Sequence, residues 1–221
     1  RNYDRLDAQA AYLMALALAK KGDRRGARDA LSEADLIIRN TEPAFVRSHA
    51  PTMLVAAMVN YAQGKYDEAR TYLQDYVQLV PHHLEAMRLL SSILLRKREP
   101  KQAVELLQRV LQAEPENWQA QAMMGAAMIQ SGRSSEATEY MERAARLNPD
   151  GTKLKTNLAM SKMILGNSDE AIEDLRAAIE QNPSAKKPAA LLGYMHLRRG
   201  ELDEAVAVAD KLLAEQPNDP L

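Results

Sequence analysis

The sequence predicts an all-α protein, a right-handed α-α superhelix of about six helix-turn-helix repeats. Three observations carry this. Pro81, Pro115, Pro149, Pro183 and Pro217 stand 34 residues apart without a slip. Twelve residues before each stands an alanine: Ala69, Ala103, Ala137, Ala171 and Ala205. Five residues before those stand Gly64, Arg98, Gly132, Gly166 and Gly200, a glycine series that only Arg98 interrupts. A fixed period of this size marks stacked structural repeats, each too small to bury its apolar face alone.

The units follow in order as approximately 8–49, 50–83, 84–117, 118–151, 152–185 and 186–219, one solenoid domain. In the first, Gly22 and Ala27 keep the five-residue offset, and Leu31 and Ala34 continue an inner stripe. From Ala27 to Ala69 is 42 residues, so eight extra residues lie around Asn40–Ala50, among Pro43, His49 and Pro51. They predict a longer loop, or a following helix lengthened at its N-terminus. The second unit contains the longest uncharged stretch, Ser48–Gly64, 17 residues that include Pro51, Asn60 and Gln63. That is short of the roughly 20 apolar residues of a membrane span and reads as a buried helix. In the third unit Pro100 opens the second helix, where a missing N–H costs nothing.

The fourth unit shows the grammar most fully. Ala122, Met124, Ala126, Met128 and Ile129 mark a first helix, and Gly132 ends it in the left-handed conformation. Ser134 or Ser135 is placed to cap the second helix, Glu136 complements its dipole, and Ala137, Tyr140, Met141, Ala144 and Ala145 form its inner stripe. Asn148 and Pro149 stop it. The grammar recurs as Gly166-Asn167-Ser168-Asp169-Glu170-Ala171 and Gly200-Glu201-Leu202-Asp203-Glu204-Ala205. Asn218–Leu221 reads as the opening of another unit, and the chain as a piece of a longer precursor.

Composition narrows the function. A net charge of −1 argues against wrapping nucleic acid, and the lack of cysteine removes thiolate chemistry, zinc ribbons and disulfides. His82 and His83 are neighbours that do not converge on one metal, and neither Cys nor carboxylate stands at ligand spacing. His49 and His196 read as satisfied or solvated histidines. The Asp-Glu pairs recur in each repeat and are helix-start residues rather than catalytic carboxylates. Arg96-Lys97-Arg98 reads as a solvated turn, and Trp118 as packing between repeats. No phosphate loop and no zinc-protease motif is found, so no catalytic residue, cofactor or metal is assigned.

The pattern resembles the tetratricopeptide repeat. That family places small residues where its paired helices cross, and the crossing positions here are Ala57, Ser91, Gly125, Ala159 and Gly193, opposite the alanine series. The resemblance implies a concave groove lined by the first helices that takes a segment of a partner protein. Projected onto this sequence, the groove residues are Tyr12, Leu54, Met58, Tyr61, Arg88 and Arg96, then Lys153, Met160, Met163, Tyr194 and Arg198, and the projected positions also include Leu16, Ala19, Lys20, Ala62, Ile164 and Leu197. The set lacks the lysines with which chaperone-docking members hold a terminal carboxylate. Met58, Met160 and Met163 read equally as core, because groove and core positions alternate within one turn.

Residues 11–23 and 207–221 look like units of the tetratricopeptide lipoproteins that accompany the PEP-CTERM/exosortase sorting system and exopolysaccharide clusters. That resemblance implies a periplasmic protein, lipid-anchored through a region not in this chain, that serves envelope protein sorting or polysaccharide assembly machinery. A cytoplasmic protein is the alternative location. A carbohydrate-facing scaffold using Tyr12, Tyr61 and Tyr194, or the regulatory arm of an enzyme, are the alternative functions.

Overall fold

Each helix pair is made by one kind of turn and each pair is joined to the next by another. In a computed structural model, the backbone is described for residues 3–215 and the side chains for 8–214. Pro217 and Asn218–Leu221 lie outside the described residues, which form thirteen helices and no strand. The first helices of the repeats are α1 (Tyr3–Lys20), α4 (Ala50–Ala62), α6 (Leu84–Arg96), α8 (Trp118–Gln130), α10 (Thr152–Leu165) and α12 (Lys186–Arg199). Their partners are α2 (Arg24–Asn40), α5 (Tyr66–Leu79), α7 (Pro100–Ala113), α9 (Ser134–Leu147), α11 (Ser168–Gln181) and α13 (Leu202–Glu215). A short α3 (Pro43–Ser48) stands between the first two pairs.

Within a pair the chain reverses through a left-handed residue. Gly64 at φ +77° and Gly132 at +74° do this, and the N–H after each reaches back over the helix end: Lys65 to the Asn60 carbonyl at 2.9 Å, Arg133 to the Met128 carbonyl at 2.9 Å. This double closure satisfies the last carbonyls of the first helix. Arg98 holds the same conformation at φ +62° with a side chain attached, and Glu99 N–H still bonds the Leu94 carbonyl at 2.9 Å. The turn is therefore set by the helix packing and not by glycine alone.

Between pairs the prolines close a second turn. The N–H groups of His83, Asn117, Gly151 and Ala185 bond the carbonyls of Val80, Glu114, Asn148 and Asn182 at 3.0–3.2 Å, with the ladder proline second in the turn. Proline pre-sets that position. Some fourth residues then cap the next helix: Asn117 Oδ1 accepts from Ala120 N–H at 3.0 Å, and His83 Nδ1 from Ala86 N–H at 3.2 Å.

The extra eight residues form neither a long loop nor a lengthened helix. They form α3, begun by Pro43 at its first position and anchored by Val46, which is 1% exposed. His49 closes it, stacks on Phe45 at 5.0 Å and caps α4 through Thr52. The cap of α9 also differs from expectation. The position is Arg133, whose guanidinium grips Glu136, while Ser134 and Ser135 lie inside the helix.

Packing follows the small residues. Ala69, Ala103, Ala137 and Ala171 are fully buried, as are Ala57, Ser91 and Ala159 facing them. A Cβ built on Gly125 would lie 2.8 Å from Met141 Cγ and 3.1 Å from the Ala137 carbonyl oxygen. Met141 is itself 1% exposed and has nowhere to go. The chain divides into two compact units, residues 1–106 and 107–221. A core cluster in the first joins Tyr12, Ala34, Ile38, Val46, Val55 and Val59. One in the second joins Ala159, Ala171, Ile172, Leu175, Leu192 and Met195.

This geometry sets the sign expected for three substitutions. Arg98→Gly should raise unfolding free energy by about 0.5–1 kcal/mol in urea titrations, since it removes the Cβ penalty of the left-handed turn; a loss would show that the Arg98 side chain matters more than its backbone. Gly125→Ala should lower it by about 1 kcal/mol, because overpacking outweighs the gain in helix propensity. Gly193 holds the same register but meets only Val208 Cγ1 at 3.4 Å, so Gly193→Ala should be neutral or stabilising. The same sign for both glycines would contradict the crossing geometry.

Candidate functional site

The positions that the repeat register assigns to partner contact sort into three environments. Tyr12 is in the first: it is 9% exposed within the core cluster of its unit, and burial pushes its phenol up from the ordinary range. Leu54 is half-buried, and Met58 packs onto the same cluster. These three are mainly wall.

Tyr61 and Arg96 belong to an array between the second and third repeats. Tyr61, at the end of α4, meets Tyr66, at the start of α5, edge to face with centroids 5.5 Å apart. The Arg96 guanidinium, at the end of α6, lies 4.5 Å over the Tyr66 ring. Ser92 Oγ reaches the Tyr61 hydroxyl at 3.4 Å. Beside it Lys97 pairs with Asp67, and Arg70 grips Glu99 through two bonds of 2.6 and 2.8 Å. Arg96 and Lys97 thus engage the preceding repeat, which corrects the expectation of a simply solvated basic turn. Arg88 is half-buried and pairs with Glu85 at 3.5 Å.

The third environment is exposed. On α10 and α12, Ile164 is 56% exposed, Tyr194 52% and Leu197 56%, with Lys153 and Arg198 also exposed. Met160 and Met163 are half-buried beside them, and Met163 packs against the core of this unit. Met163, Ser168, Met195, Arg198 and Arg199 line a cavity of about 100 Å³. Helical register explains the mixture. Residues three and four apart share a face, so Met160, Met163 and Ile164 run from wall to surface across one turn.

Charged groups near this surface are held by structure. Lys162 is only 9% exposed, between Asp174 at 2.9 Å and Glu170 at 3.1 Å. Burial favours its neutral form, but the two carboxylates outweigh that and raise its pKa. His196, 4% exposed, bonds Glu201 through Nδ1 at 2.5 Å. This bond, against some desolvation, and the charge of Arg199 hold the Glu201 carboxyl below its usual range. Arg199 also reaches Asp169 at 2.5 Å. His196 is therefore a turn-bracing group, and His49 and His83 are helix caps.

Sequence reasoning missed Tyr66 and the pairs around it. A signal was present in the register. Asp67 to Lys97 and Asp169 to Arg199 are both 30 apart, from the start of one second helix to the end of the next first helix. Tyr66 to Arg96 has the same spacing. Trp118, read as packing between repeats, is 36% exposed. Among the described residues no group of three or more His, Cys, Asp or Glu could hold a metal ion, and no helix is long and apolar enough to cross a membrane.

Comparison with known proteins follows the same lines. Family models described as tetratricopeptide repeat match residues 60–111 and 94–160, and residues 156–220. Among curated proteins none matches. Among solved structures, MamA from Desulfovibrio magneticus is 19% identical, covers 77% of this chain and 97% of its own, and superposes with a TM-score of 0.70. PilF from Pseudomonas aeruginosa is 15% identical over 98% of this chain and 95% of its own, with a TM-score of 0.69. YrrB, described as a tetratricopeptide protein with an unusual peptide-binding site, is 20% identical over 79% of this chain and 90% of its own, at 0.61. At such identities the likeness is one of fold.

The Tyr66–Arg96 contact is testable. A double-mutant cycle with Tyr66→Leu and Arg96→Gln should give a coupling of about 0.5–1 kcal/mol in urea unfolding. Strict additivity would mean that the stacked arrangement is not held in solution.

Proposed function

We propose, from the premise that this chain belongs to the tetratricopeptide repeat family, that it is a non-enzymatic scaffold whose first helices bind a segment of a partner protein. The observation that carries the reading is the exposed set on α10 and α12. Ile164, Tyr194 and Leu197 each keep about half or more of their surface in water, rimmed by the cations Lys153 and Arg198. Tyrosine, arginine and adaptable methionine are the residue types that carry binding energy in interface centres. In the first unit Leu54, Met58 and Arg88 are half-buried, and Tyr61 and Arg96 are engaged with Tyr66, so that unit carries the reading less. The peptide-binding site for which YrrB is described is consistent with a peptide partner.

The carbohydrate-facing alternative needs aromatic platforms. Tyr12 is in the core and Tyr61 is occupied by Tyr66, which leaves Tyr194 alone of the three free to stack on a sugar. A protein segment is the better-supported ligand. The cellular setting we propose is the bacterial envelope, in protein sorting or exopolysaccharide export, with a periplasmic location and a lipid anchor supplied by a region outside these residues. That setting rests on the sequence resemblance of residues 11–23 and 207–221.

Peptides selected from a display library on the wild-type chain should lose about tenfold or more in affinity when Tyr194→Ala and Leu197→Glu are combined. Both side chains are exposed, so the helical circular dichroism should be unchanged. Equal binding by that double variant would overturn the assignment of the surface.

A further inference from the structure

Helix faces in the first and sixth repeats carry the two halves of one seam. Where α11 packs on α12, Ile172 and Leu175 share a core cluster with Leu192 and Met195, and all four are buried. One period on, Val206 and Ala209 of α13 take the places of Ile172 and Leu175. Val206 is 58% exposed, and Leu202, Ala209 and Leu213 are exposed with it. Spacings of three and four put these on one stripe of the helix. In the first repeat Gly22 stands where Gly200 stands in the sixth, so Met14 and Ala17 of α1 take the places of Leu192 and Met195. Met14 is 56% exposed, and Ala10, Leu13 and Ala17 are exposed beside it. α13 thus displays the second-helix half of the seam, and α1 the first-helix half.

The charges match in the same register. Asp67 with Lys97, and Asp169 with Arg199, tie the start of one second helix to the end of the next first helix. The equivalent positions are Asp203, at the start of α13, and Lys21, just after α1. Both are exposed, and neither makes an ion pair among the described residues. Their surroundings extend the contrast. Glu204 is exposed next to Asp203, and Lys20, Arg24 and Arg25 are exposed around Lys21. Asp23, the one carboxylate among those cations, is committed to capping α2, where its Oδ1 accepts from Gly26 N–H at 2.9 Å. Opposite charges on complementary faces steer encounter and fix register.

We propose that a second copy of this chain docks head to tail, α13 of one copy on α1 of the next, as α11 docks on α12 within one chain. Val206, Ala209 and Leu213 cover Met14 and Ala17, and Asp203 of one copy pairs with Lys21 of the other. An anionic lipid surface would suit the cations near α1, but it leaves the apolar, acid-flanked face of α13 without an occupant. A second copy accounts for both faces. The contact joins two different surfaces, so each added copy leaves one face of each kind open. It uses none of the exposed residues of α10 and α12, so it stands or falls apart from the surface proposed there.

The test is sedimentation velocity on the whole 221-residue chain over a concentration series. The average mass should rise with concentration at low salt. Met14→Glu and Val206→Glu should each hold the chain as a monomer, because each places a charge in the apolar seam. Mixed together, these two variants should form a heterodimer and nothing larger, since each keeps the face that the other lacks. Lys21→Asp and Asp203→Lys should each weaken association several-fold, and the two combined in one chain should recover it. All four positions are exposed, so the helical circular dichroism should be unchanged. Tyr194→Ala with Leu197→Glu should associate as wild type does. The proposal is overturned if the wild type stays monomeric throughout, if either glutamate variant still self-associates, or if their mixture gives no heterodimer. It is also overturned if the Tyr194 and Leu197 double variant no longer associates, or if phosphatidylserine vesicles capture a chain that stays monomeric.

Discussion

The closeness with which two helices cross inside each repeat constrains everything else in this protein. Where α8 meets α9, there is no room for one methyl group on Gly125. Where α10 meets α11, Ala159 and Ala171 are both fully buried. A short separation at the crossing brings the neighbouring side chains of each pair into van der Waals contact, and many small dispersion gains add up. It also fixes the reversal between the helices. Arg98 shows this: the turn keeps its left-handed geometry at φ +62° even without glycine. Backbone strain at one residue is offset by the packing of two whole helices.

The turns then determine what each repeat can expose. The proline turn after a second helix delivers the chain at the cap position of the next first helix, where His83 and Asn117 use their side chains on helix N–H groups. Three of the four histidines, which invite a reading as catalytic or metal-binding groups, are consumed in this way, as His49 and His83 are, or in bracing, as His196 is with Glu201. The surface we propose for binding lies elsewhere, on the first helices. There, exposed apolar groups such as Ile164, Tyr194 and Leu197 stand beside cations, and the repeat scaffold holds them in fixed relation within their unit.

The period, the helix order and the crossing residues were all legible in the sequence, because each is a local rule repeated five times. A glycine or proline that recurs at one spacing reports a backbone need wherever it stands. The eight extra residues before α4 were visible as a length but not as a helix. Their structure depends on Val46 finding the core, a long-range contact that a local pattern does not contain. The same limit applies to the groove residues. Register placed Leu16, Met58, Met160 and Tyr194 at equivalent positions, yet Leu16 and Tyr194 are exposed at 44% and 52% while Met58 and Met160 are half-buried. What differs is the side chains that each neighbouring repeat packs beside them. Tyr66 and its Arg96 partner were missed for a related reason: their 30-residue spacing is a contact between repeats, one helical turn short of the period that was read.

Ala171→Met in the whole chain, followed by native-state hydrogen exchange, tests the crossing constraint most directly. Ala171 is fully buried against its partner helix, so the larger side chain has to force α10 and α11 apart. The expected result is a loss of about 1–3 kcal/mol of stability, with amide protection falling first in those two helices. Unchanged protection in α10 and α11, with unchanged unfolding free energy, would contradict the claim that the small residues set the fold.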